Sequence, residues 1–165
     1  MKEEIIIVDE EDNEIGSELR ELVDKKRLIY RVSALWIFNS KKESLFARRS
    51  YTKTHYPGKW GPAVAGTVSK GETYEENIIK EAEEELGLTN LKIKKGLKTK
   101  TDSKFEHFTQ WFMCSIDTPI DKIKIQEDEV VEIKWFSKEE IMKILKDNPD
   151  ECLPKLSRYV EMFYQ

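Results

Sequence analysis

The chain has 165 residues, 39% of them hydrophobic and 36% charged, with four Trp, six Tyr and seven Phe to fill an interior. That length suits one domain over residues 1–165 with a core of its own. The net charge of −4 excludes a general attraction for nucleic acid or an anionic membrane, so a polyanionic ligand needs a local cationic patch or a metal ion.

In chain order, Ile5 to Val8 reads as a short strand before the acidic turn Asp9 to Asn13, and with Glu14-Ile15-Gly16 it forms a small β-hairpin. Ser17 is placed to cap a helix running to about Lys26, with Leu19, Leu22 and Val23 on one side. Ile29 to Asn39 is a long β segment, and the polar turn Ser40 to Glu43 leads to a second strand at Leu45 to Arg49. Pro57-Gly58 and Gly61-Pro62 punctuate a loop over Ser50 to Gly61. Val64 to Val68 is a short strand feeding a glycine-bearing loop and then a helix. Beyond the helix, Leu91, Ile93, Lys95, Leu97 and Thr99 describe a half-exposed strand, and Lys104 to Ile116 an aromatic-rich one. After a loop from Asp117 to Asp128 come a strand at Val130 to Phe136 and a helix opened by Ser137 and Glu140 and stopped at Asn148-Pro149. A last helix follows over about Leu153 to Tyr164.

Cys114 and Cys152 have no paired spacing, which points to neither a disulfide scaffold nor a zinc site. Cys114 is expected in the core and Cys152 at the surface or a helix edge. The N-terminus turns acidic before any signal-like apolar run develops, and no run reaches membrane-spanning length. A soluble, cytoplasmic protein is the expectation.

The stretch from Gly66 to Leu88 carries the chemistry. Thr73 and Glu76 are spaced as a capping box, and Gly87 suits the position that ends the helix. Ile79, Ala82 and Leu86 fall on one side as a core-facing stripe. Glu81, Glu84 and Glu85 cluster on another face, where like charges repel and the last turn of the helix disfavours anions. A solvated acidic face is the ordinary reading of three such glutamates. A hard divalent cation such as Mg²⁺ would reverse the penalty and keep positions open for a phosphate ligand.

Gly66, Glu72, Glu81, Glu84, Glu85 and Gly87 match literally the Nudix box, G-x5-E-x7-R-E-U-x-E-E-x-G-U with U aliphatic, and the stretch resembles it over 23 residues. Leu88 fits, Ala82 fits loosely, and Lys80 replaces an arginine. A lysine offers a point charge where arginine offers a two-pronged fork, so looser bracing of the glutamates is expected. The segments VDEEDNEIG, IYRVSALWIFN, LFARRS, Pro57-Gly58-Lys59-Trp60 and EVVEIKWFSKEEI are similar to the Nudix branch related to isopentenyl-diphosphate isomerase. The resemblance implies an α/β (α+β) fold, a Nudix-type α/β/α sandwich with a mixed sheet and the box as a loop-helix-loop.

That branch holds two chemistries. Aligned through Pro57-Gly58 and Trp60, the isomerase cysteine falls at Ala65 and its histidine ligands at Thr67 and near Tyr30, so the groups that move protons at carbon are missing. The full glutamate set implies a Mg²⁺-dependent hydrolase, with Mn²⁺ as a substitute, acting on a small-molecule diphosphate linked to another moiety, a nucleoside diphosphate derivative foremost. An isomerase-like enzyme and a non-catalytic ligand-binding module are the alternatives, and a homodimer is left open. Glu81 and Glu85 are the first metal ligands, with Glu84 as third ligand or general base. Glu72, Lys80 and Gly87 are structural parts of the box, and Gly66 offers close backbone approach to substrate. Glu129 is the candidate acid from a later loop, with Glu127 and Glu132 as competitors. Arg48 and Arg49 are candidates for the phosphates, one of them at most because neighbours on a strand face opposite ways. Lys53 and Lys59 are weaker candidates. Trp60, Phe105, Phe108 and Trp111 could stack on a base but suit a core better, and His55 and His107 are expected as polar surface residues.

Overall fold

The computed structural model describes residues 1–165 as a curled, mixed nine-stranded sheet with four α-helices. The strands are β1 (Glu4–Val8), β2 (Glu14–Leu19), β3 (Ile29–Phe38), β4 (Ser44–Arg49), β5 (Trp60–Pro62), β6 (Val64–Thr67), β7 (Lys94–Thr101), β8 (His107–Ser115) and β9 (Val130–Phe136). The helices are α1 (Arg20–Lys26), α2 (Tyr74–Leu86), α3 (Lys138–Asp147) and α4 (Leu156–Phe163).

Strand β3 is the axis. One of its edges pairs in parallel with β8 from Tyr30↔His107 to Phe38↔Ser115. Its other edge is shared in succession by β1 at Tyr30, β6 from Val32 to Leu35, and β4 at Ile37 and Phe38, all antiparallel. Three partners on one edge force the sheet to splay and curl, and β4 carries the second branch through β9 and β5.

Because successive side chains alternate, β3 serves two cores. Leu35 and Ile37 pack with Ile78, Ala82 and Leu86 of α2, while Ala34 and Trp36 pack with Ile141 of α3 and Leu156 and Val160 of α4. A strand covered on both faces must be apolar throughout, which explains the unbroken run Ala34-Leu35-Trp36-Ile37. No helix is long and apolar enough to cross a membrane.

Several boundaries differ from the sequence reading. Ser17 caps nothing; it lies in β2, which runs on to Leu19, and α1 starts at Arg20 without a side-chain cap. The strand expected from Leu91 begins at Lys94, and the one expected from Lys104 begins at His107. Ile78 takes the core position on α2, fully buried, whereas Ile79 is 47% exposed. Cys152 is buried beside Trp60, which it bridges in parallel, so it is a core thiol like Cys114.

Candidate active site

The geometry of α2 follows from its two ends. Thr73 Oγ1 accepts from the Glu76 backbone N–H at 3.1 Å, and Glu76 Oε2 accepts from the Thr73 N–H at 2.8 Å. Gly87, with φ +62°, closes the C-terminus in the left-handed conformation. The helix is thereby fixed in length, and Glu81, Glu84 and Glu85 project together toward a cavity of about 350 Å³. Gly66 permits this. A Cβ there would lie 2.4 Å from Glu81 Cγ, so only glycine lets β6 pass this close to the glutamate.

The carboxylates differ in environment. Glu72 accepts from Lys80 Nζ at 2.5 Å, from Asn77 Nδ2 at 3.0 Å and from the Ser69 N–H at 3.0 Å. Burial opposes its charge, but these donors outweigh burial and hold the carboxyl below the ordinary range. Glu81 is pushed up to about 6, chiefly by burial, with Lys80 pulling it down and Glu84 pushing it up. Glu85, 8% exposed and without an ion pair, is pushed up to about 8 by burial and then by repulsion from Glu81 and Glu129. Glu84 is exposed at the rim of the same cavity.

Arg49, Lys53, Gln126 and Glu129 line the same cavity, and the Gln126 backbone N–H donates to the Glu85 carbonyl of α2 at 2.8 Å. Lys53 pairs with Glu129, and Arg49 Nε donates to the His55 carbonyl at 2.9 Å. The alternation of β4 puts Arg48 on the other face, over the Trp60 ring at 4.8 Å with Glu132 and Glu151 at 3.4 and 3.5 Å. Arg48 is thus removed from the cavity, and with it Glu132; Glu127 is exposed and does not line it. Lys59 is also outside, bonded to the Asp150 carbonyl. Trp60, Phe108 and Trp111 belong to cores, with Trp111 also bordering the cavity, and Phe105 lines the cavity. His55 and His107 are not surface residues but cavity lining. His55 bonds Asp24 at 2.6 Å and stacks on Phe105 at 3.7 Å.

Two contributors escaped the sequence reading. Arg20 adds a cation at the cavity mouth. Asn77 is fully buried: it accepts from Ser33 Oγ and donates through Nδ2 to the Thr67 carbonyl at 3.0 Å, to Glu72 and, at 3.5 Å, to Glu81. An asparagine on a polar helix stretch gives no sign of this until β3 and β6 are laid against it.

No three His, Cys, Asp or Glu side chains are drawn together closely enough to cage an ion in this arrangement. The donor chemistry still fits a hard divalent cation. Half-buried Glu81 and buried Glu85, one helical turn apart, are both raised chiefly by burial, Glu81 adding to the shift of Glu85, and Glu3, Glu84 and Glu129 line the same cavity. The glutamates offer oxygen donors, as such cations require.

A curled mixed sheet bearing a capped loop-helix-loop, with glutamates and basic residues lining one cavity, is the arrangement of the Nudix fold. The NUDIX domain family matches residues 27–156, and the chain belongs to the Nudix hydrolase family. It is 30% identical over 159 residues to the uncharacterized Nudix hydrolase PA4841 of Pseudomonas aeruginosa, covering 93% of this chain and 91% of that one. It is 28% identical to the chloroplastic isopentenyl-diphosphate Delta-isomerase I of Arabidopsis thaliana, over 98% of this chain and 64% of the relative. The crystal structure of DR0079 from Deinococcus radiodurans superposes with a TM-score of 0.84 at 22% identity, covering 99% of this chain and all of that one, a likeness of fold. Members of the family are generally pyrophosphohydrolases that use a divalent cation.

Proposed function

We propose that the protein is a Mg²⁺-dependent hydrolase that cleaves the phosphoanhydride bond of a diphosphate linked to another moiety, a nucleoside diphosphate derivative foremost. The observation that carries this reading is the convergence of Glu81, Glu84 and Glu85 on one cavity that Arg49 and Lys53 also line. Glu81 and Glu85 would hold the cation, with Glu84 beside them and Mn²⁺ as a substitute. A cation so held neutralises phosphate oxygens and lowers the pKa of water. Arg49 orients the phosphates through its fork, pre-aligned by its bond to the His55 carbonyl. Glu84, exposed at the rim, is free to take the proton of the attacking water, and Glu129, held by Lys53, is the second acid in reach. Glu72 and Lys80 brace Glu81 from behind, with Lys80 Nζ 3.8 Å from Glu81 Oε1.

The isomerase alternative meets a specific obstacle. Tyr30, Ala65 and Thr67, where the isomerase alignment expects histidine, cysteine and histidine, all line the cavity. Ala65, at the cysteine's position, has no proton to give. The test is a panel of nucleoside diphosphate derivatives assayed with Mg²⁺ and product identification. Turnover by the wild type and a loss of about 100-fold or more in Glu85→Gln are expected; equal turnover by both would sink the assignment.

A further inference from the structure

Arg49 lines the cavity, yet a single bond holds its guanidinium: Nε donates to the His55 carbonyl at 2.9 Å, and the two terminal nitrogens have no partner within the chain. That carbonyl lies in residues 54–56, which no bond between main-chain groups secures. The nearest such bonds run from the Lys53 N–H to the Ser50 carbonyl at 3.2 Å and from the Gly58 N–H to the Arg49 carbonyl at 3.1 Å. A stretch without main-chain bonds takes its order from its side chains. Here the His55 ring supplies it. Its Nε2 lies 2.6 Å from Asp24 Oδ2 of α1, and because a carboxylate accepts, Nε2 donates. The same ring lies flat on Phe105, in the turn after β7, at 3.7 Å between centroids and 16° between planes. Lys104 Nζ over the Phe105 ring at 5.4 Å and Tyr56 edge-on at 6.1 Å steady that partner.

We propose that His55 is a positioning residue for diphosphate binding: its ring, clamped between Asp24 of α1 and Phe105 of the turn after β7, fixes the carbonyl that holds Arg49 Nε, and so keeps the two terminal nitrogens of the guanidinium ready for the phosphates. Any residue has a carbonyl; what the histidine adds is a ring that bonds through one edge and stacks through one face. An arginine held at Nε presents a fork that is already oriented, whereas one released from that bond must give up its freedom when the ligand arrives. His55 acts through Arg49 and touches no phosphate itself. The inference rests on the hydrolase reading for the diphosphate at Arg49.

The test is calorimetric binding of methylenediphosphonate, a diphosphate analogue with an uncleavable bridge, in the presence of Mg²⁺. His55→Ala should bind it about tenfold more weakly than the wild type. His55→Phe, which keeps the stack, and Phe105→Leu, which keeps the bond to Asp24, should each lose less. Arg49→Lys retains a cation but not the Nε donor, and in that background His55→Ala should change the affinity by less than about twofold. Mn²⁺ alone should raise the melting temperature of His55→Ala as much as that of the wild type, because the glutamates are untouched. Equal affinity of wild type and His55→Ala, a loss of the same size in the Arg49→Lys background, or a smaller Mn²⁺ shift in His55→Ala overturns the proposal. Should His55→Ala fail to fold, His55→Phe takes its place under the same criteria. A wild type that does not bind methylenediphosphonate with Mg²⁺ sinks the hydrolase reading and this inference with it. Binding that is indifferent to His55 sinks this inference alone.

Discussion

Burial pushes the Glu85 carboxyl up to about 8, with Glu81 and Glu129 adding repulsion. In the unfolded chain a glutamate titrates near about 4.3. Between those values the folded state keeps a proton that the unfolded state has released, so the metal-free protein loses stability as pH rises through this window. Glu85→Gln carries no such proton. With chelator present, it should be more stable than wild type at pH 8 by on the order of 2–4 kcal/mol, and the two should converge near pH 4.5. Thermal unfolding across pH 4.5–8.5 checks this, and parallel profiles would refute it. At pH 8, Mg²⁺ or Mn²⁺ should raise the melting temperature of the wild type far more than that of the variant. The glutamates themselves were legible from their spacing, because a helix fixes which side chains share a face. Asn77 was not, since its partners Ser33 and Thr67 belong to other strands. Asn77→Ala leaves the Ser33 hydroxyl and the Thr67 carbonyl unpaired in a buried place. It should cost about 1–3 kcal/mol in urea unfolding.

Helix α2 could be read at both ends because its caps are local chemistry: Thr73 with Glu76, and Gly87. Its inner face was read one residue off, at Ile79 instead of Ile78, because the choice between neighbouring isoleucines is made by the sheet it packs on. The same holds for Ser17, whose capping chemistry is overridden by pairing of β2 with β1 at Ser17↔Ile6. What α2 needs from its neighbour is also specific. At Gly66 the backbone of β6 meets Glu81, and an alanine methyl would strike the glutamate at 2.4 Å from Cγ. Gly66→Ala should therefore displace Glu81 and lower kcat/KM by about 100-fold, the order expected for a misplacement near 1 Å. Circular dichroism should show the secondary structure intact. Full activity in this variant would mean that Glu81 can move without consequence.

Across the whole molecule, parts far apart in sequence are tied by one carboxylate that composition could not single out among 32 acidic residues. Asp12, in the turn between β1 and β2, accepts from Arg31 Nε of β3 at 2.7 Å and from Lys98 Nζ of β7 at 2.5 Å. Tyr74 at the start of α2 donates to it at 3.0 Å. Both cations also lie over the Tyr74 ring, at 5.2 and 5.0 Å. Burial works against the charge of Asp12, but the donors from Lys98, Arg31 and Tyr74 outweigh it and hold its pKa below the ordinary value. The sign of the linkage is then fixed: the stabilisation is complete above the ordinary aspartate pKa of about 3.9 and is lost as pH falls through the lower folded value. Asp12→Asn should be less stable at neutral pH by roughly 2 kcal/mol, because Arg31 loses its ionic partner in a largely buried place. Its deficit should shrink as the pH drops below about 4, where the unfolded wild-type chain takes up a proton at Asp12 before the folded one does. Urea unfolding of both proteins at pH 7 and pH 3 measures the difference, and a deficit of equal size at the two pH values would show that the loss is one of shape and not of charge.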